Sequence, residues 1–506
     1  MARSARAQEE IRRFLDIGAV QVAELDLDGD EAVLRPGPGS PPVTHGEVFV
    51  LVRQGGRPVG TLLARVPEGA DTKAVLAARA RAEWASVRAE CAPGRVECAP
   101  GRAGAFGEAR GPGGTGVPGA ADEPGEAGGP GAADRLGKAD RLGAADGPGQ
   151  AGGPRAADRP READRPGAAG GPMEPPYASV VIATRERAGQ LARALDSLLA
   201  QDHPRFEIVV VDNAPVTSET RELVERKYAE RVRYVREPVP GLAVAHNTGL
   251  AAVRGEVVAF TDDDVVADPR WLTELTAPFA ADPGLGCSTG LILPARLTTP
   301  AQVLLESHGG FAKGFTPRTY DPKRPPVDEP LFPFTAGRFG SGANMAFRTA
   351  ALRSVGGFDP ATGAGTAARG GDDLYGFVRV LAEGHRLRYT PYALVWHHHR
   401  ETWRDLETQA YGYGAGLTAY LTALLVNRPA LLPAFLARLP RGLAHARTLT
   451  AVRETEGGGT APGDHDMRTH PWPRRLSRLQ RRGMVYGPVG YLRARRALRA
   501  RVEGAR

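Results

Sequence analysis

The clearest pattern along the 506 residues begins at Ser179. Ser179 to Ala183 reads as a buried strand, Gln190 to Ala200 as a helix with Leu191, Leu195, Leu198 and Leu199 on one side, and Phe206 to Val211 as a second apolar strand. Glu219 to Tyr228 is helical in pattern, Val232 to Val235 a short strand, Leu242 to Val253 helical, and Val257 to Phe260 a strand that runs into acidic residues. Strands alternating with helices at this spacing predict an α/β fold, a mainly parallel sheet covered by helices and joined by right-handed crossovers.

The flanking regions have other textures. In residues 1–98, Val20 to Leu27 alternates in part, and Glu47 to Val52 and Pro58 to Val66 flank the turn Gly55-Gly56-Arg57, a hairpin signal. Ala74 to Val87 reads as helix, so a small α+β accessory domain is expected there, with nothing catalytic in it. Residues 99–175 are dominated by Gly, Ala, Pro, Asp and Arg, with near-repeats at Ala133 to Gly137 and Ala139 to Gly143. Too few β-branched and aromatic residues are present to offset backbone ordering, which predicts a disordered linker. Residues 406–506 predict a helical extension ending in a basic tail, with twelve Arg against one Glu from Arg468 onward.

Composition narrows the classes. Apolar residues make up 42% of the chain, enough for at least one large core within two or three folded units. A net charge of +7 from 65 basic and 58 acidic residues is a mild imbalance, and no zinc finger or recognition helix accompanies it, so nucleic acid is not an expected partner. Cys91, Cys98 and Cys287 do not make a disulfide framework. Met1 to Gly18 lacks the apolar core of a signal peptide, and no run reaches the ~18 apolar residues of a membrane span. A cytoplasmic location is expected.

Candidate chemistry gathers at the strand ends. Open α/β sheets bind ligands beyond the C-terminal ends of their strands. Here those ends carry Thr184-Arg185-Glu186, Asp212-Asn213 and Asp262-Asp263-Asp264. In extended backbone Asp262 and Asp264 point one way and Asp263 the other. Two carboxylates on one side suit a hard octahedral ion that also takes diphosphate oxygens, with Mn2+ and Mg2+ equally compatible.

Residues 178 to about 400 resemble the inverting family 2 glycosyltransferases with the GT-A fold. Val180 to Arg187 is similar to that family's first strand and nucleotide-contacting loop, Val209 to Asn213 to its second strand, and Gly241 to Gly249 to its glycine-led helix near the donor. Asp262 and Asp264 match its Asp-x-Asp pair. The resemblance implies a GT-A domain over 176–405 and a nucleoside-diphosphate-sugar donor. Thr184, Arg185, Glu186, Asp212, Asn247, Asp262 and Asp263 are then placed against nucleotide and donor, and Asp262 and Asp264 on a divalent cation. Ser341 to Arg348 is similar to the segment under the donor sugar.

Gly370-Gly371-Asp372-Asp373-Leu374 corresponds to the family's Glu-Asp pair at a helix start, whose Asp is the catalytic base; that implies Asp373. The first acid is a methylene shorter than usual, and Tyr375 stands where another Asp is common. Displacement at an anomeric carbon independently needs a carboxylate on the acceptor side and positive charge at the departing diphosphate. After the strand Ala393 to Trp396, His397 and His399 share a side and His398 opposes them. The resemblance points to His397 as a further metal ligand, while His399 could face diphosphate or acceptor and Arg400 a phosphate.

The expected function is metal-dependent, inverting transfer of a sugar to an acceptor hydroxyl on a polysaccharide, a lipid-linked glycan or a secondary metabolite. Peripheral membrane contact through Leu492 to Val502 and a soluble basic tail stand as alternatives. Competing readings are a nucleotidyltransferase, which needs a glycine-rich first loop that Thr184 to Arg187 lacks, and a non-catalytic nucleotide-sugar-binding module. Metal- and acceptor-dependent release of nucleoside diphosphate separates the three.

Overall fold

The structure, a computed structural model, describes residues 17–29, 31–84, 174–308, 310–440 and 472–504. Cys91, Cys98 and the expected linker, apart from its last two residues, lie outside them. Cys287 is buried and unpaired by any disulfide.

Strands β1 (Gln21–Asp26), β2 (Val33–Pro36), β3 (Gly46–Gln54) and β4 (Arg57–Val66) form one sheet in the order β2-β1-β3-β4. The β3–β4 hairpin turns at Gly55-Gly56, and helix α1 (Thr72–Trp84) packs on the sheet. Alternation along β3 serves two cores. Val48, Val50 and Val52 face Leu76 and Ala80 of α1, whereas Phe49 and Leu51 join Leu291, Leu293 and Trp396 of the larger sheet. Arg53, also on β3, is buried between Glu24 (2.6 Å) and Asp268 (2.5 Å), which ties the two sheets together with a charged pair on either side of one guanidinium.

The larger sheet collects β5 (Ala178–Thr184), β6 (Phe206–Asn213), β7 (Val232–Glu237), β8 (Val257–Asp262), β9 (Val265–Ala267), β10 (Leu285–Pro294), β11 (Arg318–Tyr320), β12 (Asn344–Arg348) and β13 (Arg386–His397). Its order is β11-β13-β10-β12-β8-β5-β6-β7, with β9 paired to β13. Across β8-β5-β6-β7, and between β10 and β13, the pairing is parallel. The parallel expectation does not extend to the rest: β12 runs antiparallel between β8 and β10, and β9 and β11 are antiparallel to β13. Their segments are too short and too isolated in sequence to announce a direction. Helices α2 (Ala188–Leu199), α3 (Glu219–Leu223, continued by a π turn to Tyr228), α4 (Leu242–Ala252), α5 (Trp271–Ala281), α6 (Pro300–Ser307), α7 (Thr349–Ser354) and α8 (Asp372–Ala382) fill the connections. Two apolar layers result, one with Leu191, Leu195 and Trp271, the other with Phe260, Phe347, Phe358 and Phe377. The architecture is α/β, a central mixed sheet between helices.

Helices α9 (Trp403–Asn427) and α10 (Arg474–Gly504) close the second layer. Far from trailing as a loose basic tail, α10 lies along α9 on a run of small residues. A Cβ added at Gly414 would overlap the Gln480 carbonyl, and one at Gly483 the Tyr411 carbonyl. Tyr491 is fully buried, and its hydroxyl donates to Asp359 (2.9 Å). Among the described residues no single helix is long and apolar enough to cross a membrane; Trp403–Asn427 with Pro429–Pro440, bent by 110°, passes that test only as a pair.

Backbone contact of this closeness leaves no room for a methyl group. Gly414→Ala and Gly483→Ala should each lower stability in urea by about 1–3 kcal/mol, the usual cost of overpacking. At Gly189, where a Cβ meets nothing within 4 Å, alanine should be neutral or stabilise by up to about 1 kcal/mol. Three equal midpoints would refute this account of the α9–α10 seam.

Candidate functional site

β8 ends at Asp262, and Asp263 and Asp264 form the turn that leads into β9. Asp263 turns inward, where it accepts from Thr184 Oγ1 (2.7 Å) and pairs with Arg187 (3.0 Å). Burial raises its pKa, and the Arg187 charge acts against that rise. Asp262 and Asp264 meet His397 from the end of β13, with one ligand-type atom of each lying within 4.8 Å of the others. The backbone N–H of His398 donates to the Asp264 carbonyl (2.9 Å), which locks the two chain segments side by side.

Charge in this pocket is only partly balanced. Burial, and then the charges of Asp264, Asp263, Asp372 and Asp373, push the Asp262 carboxyl well above the usual range. Burial and the neighbouring His399, Arg400, His398 and Arg187 push His397 well below its usual value, so its imidazole is neutral. His397 Nε2 stands 3.4 Å from Asp264 Oδ1, a buried oxygen with no hydrogen-bond partner. An orphaned carboxylate oxygen beside a neutral imidazole nitrogen, with a second carboxylate adjoining, fits the donor set of a divalent cation.

α8 brings the other acids. Gly371 caps it at φ 90°, a left-handed conformation that turns the chain so that Asp372 and Asp373 open the helix, where the helix dipole favours anions. Asp373 accepts from the Gly342 N–H (2.9 Å) through Oδ2 and from the Leu374 N–H (2.8 Å) through Oδ1. Burial and the Asp372 charge nevertheless raise its pKa to about 6. Asp372 lies 3.2 Å from His246 Nδ1, and the His246 ring is held between Phe260 and Phe358, with centroids 4.9 and 5.2 Å away.

The other expected contact residues are spread around this centre. Asp212 is buried at the end of β6, accepts from the Tyr234 hydroxyl (2.8 Å), keeps its other oxygen unpartnered, and has its pKa raised by burial. Glu186, exposed and at φ 56°, accepts from the Val216 N–H (2.8 Å) and Thr217 N–H (3.2 Å), which lower its pKa. Arg185 is exposed beside it. Asn247 is turned the other way: its amide pairs with both the N–H (2.9 Å) and the carbonyl (2.8 Å) of Phe358, clasping α4 to the loop ahead of α8. Asn344 likewise serves the frame, bonded to Trp271, Leu291 and Ala393.

Three participants were not singled out in the sequence: Arg187 and His246, which sit inside motifs that were, and Glu306. His399 is buried against Glu306 rather than open to diphosphate or acceptor. Only the alternation of His397 and His399 hinted at a shared side.

Residues 179–355 match the family model described as Glycosyl transferase family 2. The pre-mycofactocin glycosyltransferase of Mycobacterium tuberculosis is 29% identical over 242 residues, 47% of this chain and 46% of that protein. The validoxylamine A glucosyltransferase of Streptomyces hygroscopicus is 37% identical over 125 residues, 23% of this chain and 29% of that one. The chain thus spans about half the length, or less, of these curated relatives. A solved mannosyltransferase of Pyrobaculum calidifontis, in complex with GDP-Man and Mn2+, is 21% identical and covers 64% of this chain and 91% of that one at a TM-score of 0.39. The family match ends before Asp373 and His397.

The asymmetry between neighbouring acids can be measured. Asp264→Asn should weaken Mn2+ binding, read by the electron paramagnetic resonance of free ion, far more than Asp263→Asn. The latter should instead cost about 1–3 kcal/mol of folding stability, by leaving Thr184 and Arg187 without their acceptor. Equal loss of Mn2+ affinity in both would contradict the geometry. Residues 179–355 of this chain thus carry a family 2 glycosyltransferase segment.

Proposed function

From that match, we propose that the chain is a metal-dependent inverting glycosyltransferase, moving a sugar from a nucleoside-diphosphate sugar to an acceptor hydroxyl with Asp373 as base. The observation that carries the reading is the cluster of Asp262, Asp264 and His397 set close to a separate, half-buried Asp373 whose charge Asp262 feels. Asp262, Asp264 and His397 would hold Mn2+ or Mg2+, which when bound neutralises diphosphate charge and favours its departure.

Asp373 then takes the acceptor proton while the acceptor oxygen forms its bond to the anomeric carbon. The bond from that carbon to the diphosphate oxygen breaks, and nucleoside diphosphate leaves. One displacement inverts the centre, so an α-linked donor gives a β-linked product. The two N–H donors on Asp373 fix the direction of its carboxylate, and burial places its pKa where a base is both ionised and basic. Tyr413 of α9 lies near enough to feel the Asp373 charge, and its exposed ring, with Gln409 bonded to its hydroxyl (2.7 Å), supports α9 as a wall of the acceptor side. The relatives named for pre-mycofactocin and validoxylamine A support a hydroxyl-bearing acceptor of that broad kind.

A cytoplasmic enzyme working at an anionic lipid surface is part of the same proposal. Val485, Val489 and Leu492 form an exposed stripe at helical spacing on α10, beside exposed Arg481, Arg482, Arg493 and Arg496. Sedimentation with anionic but not neutral vesicles, lost in Val485→Glu/Val489→Glu, is the expected result; indifference to lipid charge would remove the membrane from the proposal.

Asp373→Asn should fold, bind metal and nucleoside diphosphate, and transfer roughly 10²- to 10⁴-fold more slowly. In the wild type, kcat/KM should fall as pH drops through about 6, because Asp373 works only when ionised. A cation bound at Asp262 and Asp264 lowers that limb further, since positive charge favours the carboxylate. Retained configuration in the anomeric-proton spectrum, or near-normal transfer by Asp373→Asn, would overturn the mechanism.

A further inference from the structure

Behind His397 lies a buried file of polar side chains that the reaction as described does not employ. His397 Nδ1 is 3.0 Å from His399 Nδ1, and His399 Nε2 is 3.1 Å from Glu306 Oε2. The His399 side chain is fully buried and that of Glu306 only 9% exposed. Phe311 covers both imidazoles, its ring centre 5.1 Å from His397 and 5.5 Å from His399. α6 holds Glu306 in place: its first turn is fixed by a capping box between Thr299 and Gln302, and Gln302 also donates to the His399 carbonyl (3.2 Å). At Gly310 a Cβ would overlap the Glu306 carboxylate, so the chain crosses over that group at closest approach.

Proton positions along such a file depend on one another. A carboxylate only accepts, so an imidazole bonded to it presents Nε2–H and, in its neutral form, keeps Nδ1 bare. That bare nitrogen can only accept, which places the hydrogen of neutral His397 on Nδ1. His397 Nε2 is then left with its lone pair on the side of Asp264.

We propose that Glu306, acting through His399, sets the tautomer of His397 and is thereby a positioning residue for the nitrogen that completes the Asp262–Asp264–His397 site. The inference rests on the reading of that trio as a divalent-cation site. It adds two residues, from α6 and from beyond β13, that the cation would not touch. Partners one shell removed from a metal commonly contribute 10- to 100-fold to its affinity by this means, an order-of-magnitude figure.

Two measurements on the full chain test it. The first is Mn2+ titration followed by the free-ion resonance. Glu306→Met removes the acceptor and should weaken binding about 10- to 100-fold. Glu306→Gln keeps a carbonyl acceptor in nearly the same shape and should restore most of the affinity. A purely packing role for Glu306 would make Met and Gln equivalent, and unchanged affinity in Glu306→Met would overturn the proposal outright.

The second is the nitrogen spectrum of metal-free protein labelled at histidine, with His397 assigned by the signal that His397→Gln removes. Wild-type His397 should carry its hydrogen on Nδ1, and Glu306→Met should lose that preference. A wild-type hydrogen on Nε2 would refute the relay whether or not the variants fold. Should wild-type protein bind no Mn2+, the cation reading fails separately, and the tautomer decides the relay alone.

Discussion

Carboxylates crowded into a place with little water dominate the energetics of this molecule. Asp262, Asp263, Asp264, Asp372 and Asp373 all lie close enough for Asp262 to feel the other four. Two such charges 4 Å apart repel by about 4 kcal/mol at an effective dielectric of about 20, so the cluster survives only if most of its members are compensated. Asp263 has Arg187 and Thr184, Asp373 has two backbone N–H groups and a helix start, and Asp372 faces His246. Asp262 and Asp264 face a neutral imidazole, and Arg187 reaches Asp264 Oδ2 at 3.5 Å. The protein therefore compensates most of these acids and leaves Asp264 Oδ1 without a hydrogen-bond partner beside Asp262.

Those compensating contacts bind distant parts of the chain to one another. Thr184 and Arg187 come from the first strand and its loop, Gly342 from the approach to β12, and His246 from α4. The antiparallel insertion of β12 beside β8 sets Asn344 opposite Thr261, and the Thr261 hydroxyl donates to the Ala343 carbonyl (2.8 Å). That register carries Gly342 to Asp373 across the seam between the parallel half of the sheet and its mixed half. The irregular strand order is thus what lets the acids that open α8 stand near those at the end of β8.

Much of this was legible from residue patterns. Apolar strands ending in acids are local features; Asp263 does diverge from Asp262 and Asp264 as expected, although it and Asp264 stand in a turn rather than in extended backbone. The roles of Asn247 and Glu186 were less so. Both sit in stretches that resemble donor-contacting segments, yet Asn247 is bonded to Phe358, 111 residues away, and Glu186 to the backbone at 216 and 217. Glu306 was illegible for the same reason: a Glu near the end of an ordinary amphipathic helix gains its meaning only from a histidine 93 residues later. The direction of β12 depended likewise on a partner that no local pattern names.

The regions outside the matched family segment show what they contribute through the loops they grip. Arg53, from the N-terminal sheet, holds Asp268, four residues after Asp264 and directly before α5. Tyr491, from α10, and Asn427, from α9, both donate to Asp359, at the start of the loop that ends in Gly371 and Asp372. One flank therefore steadies the chain leaving Asp264 and the other the chain entering α8. A buried, mutually repelling set of acids relaxes by moving its loops apart unless their far ends are fixed. Fastening both from outside the sheet keeps Asp264 and Asp373 close to Asp262, whose carboxyl their charges push up.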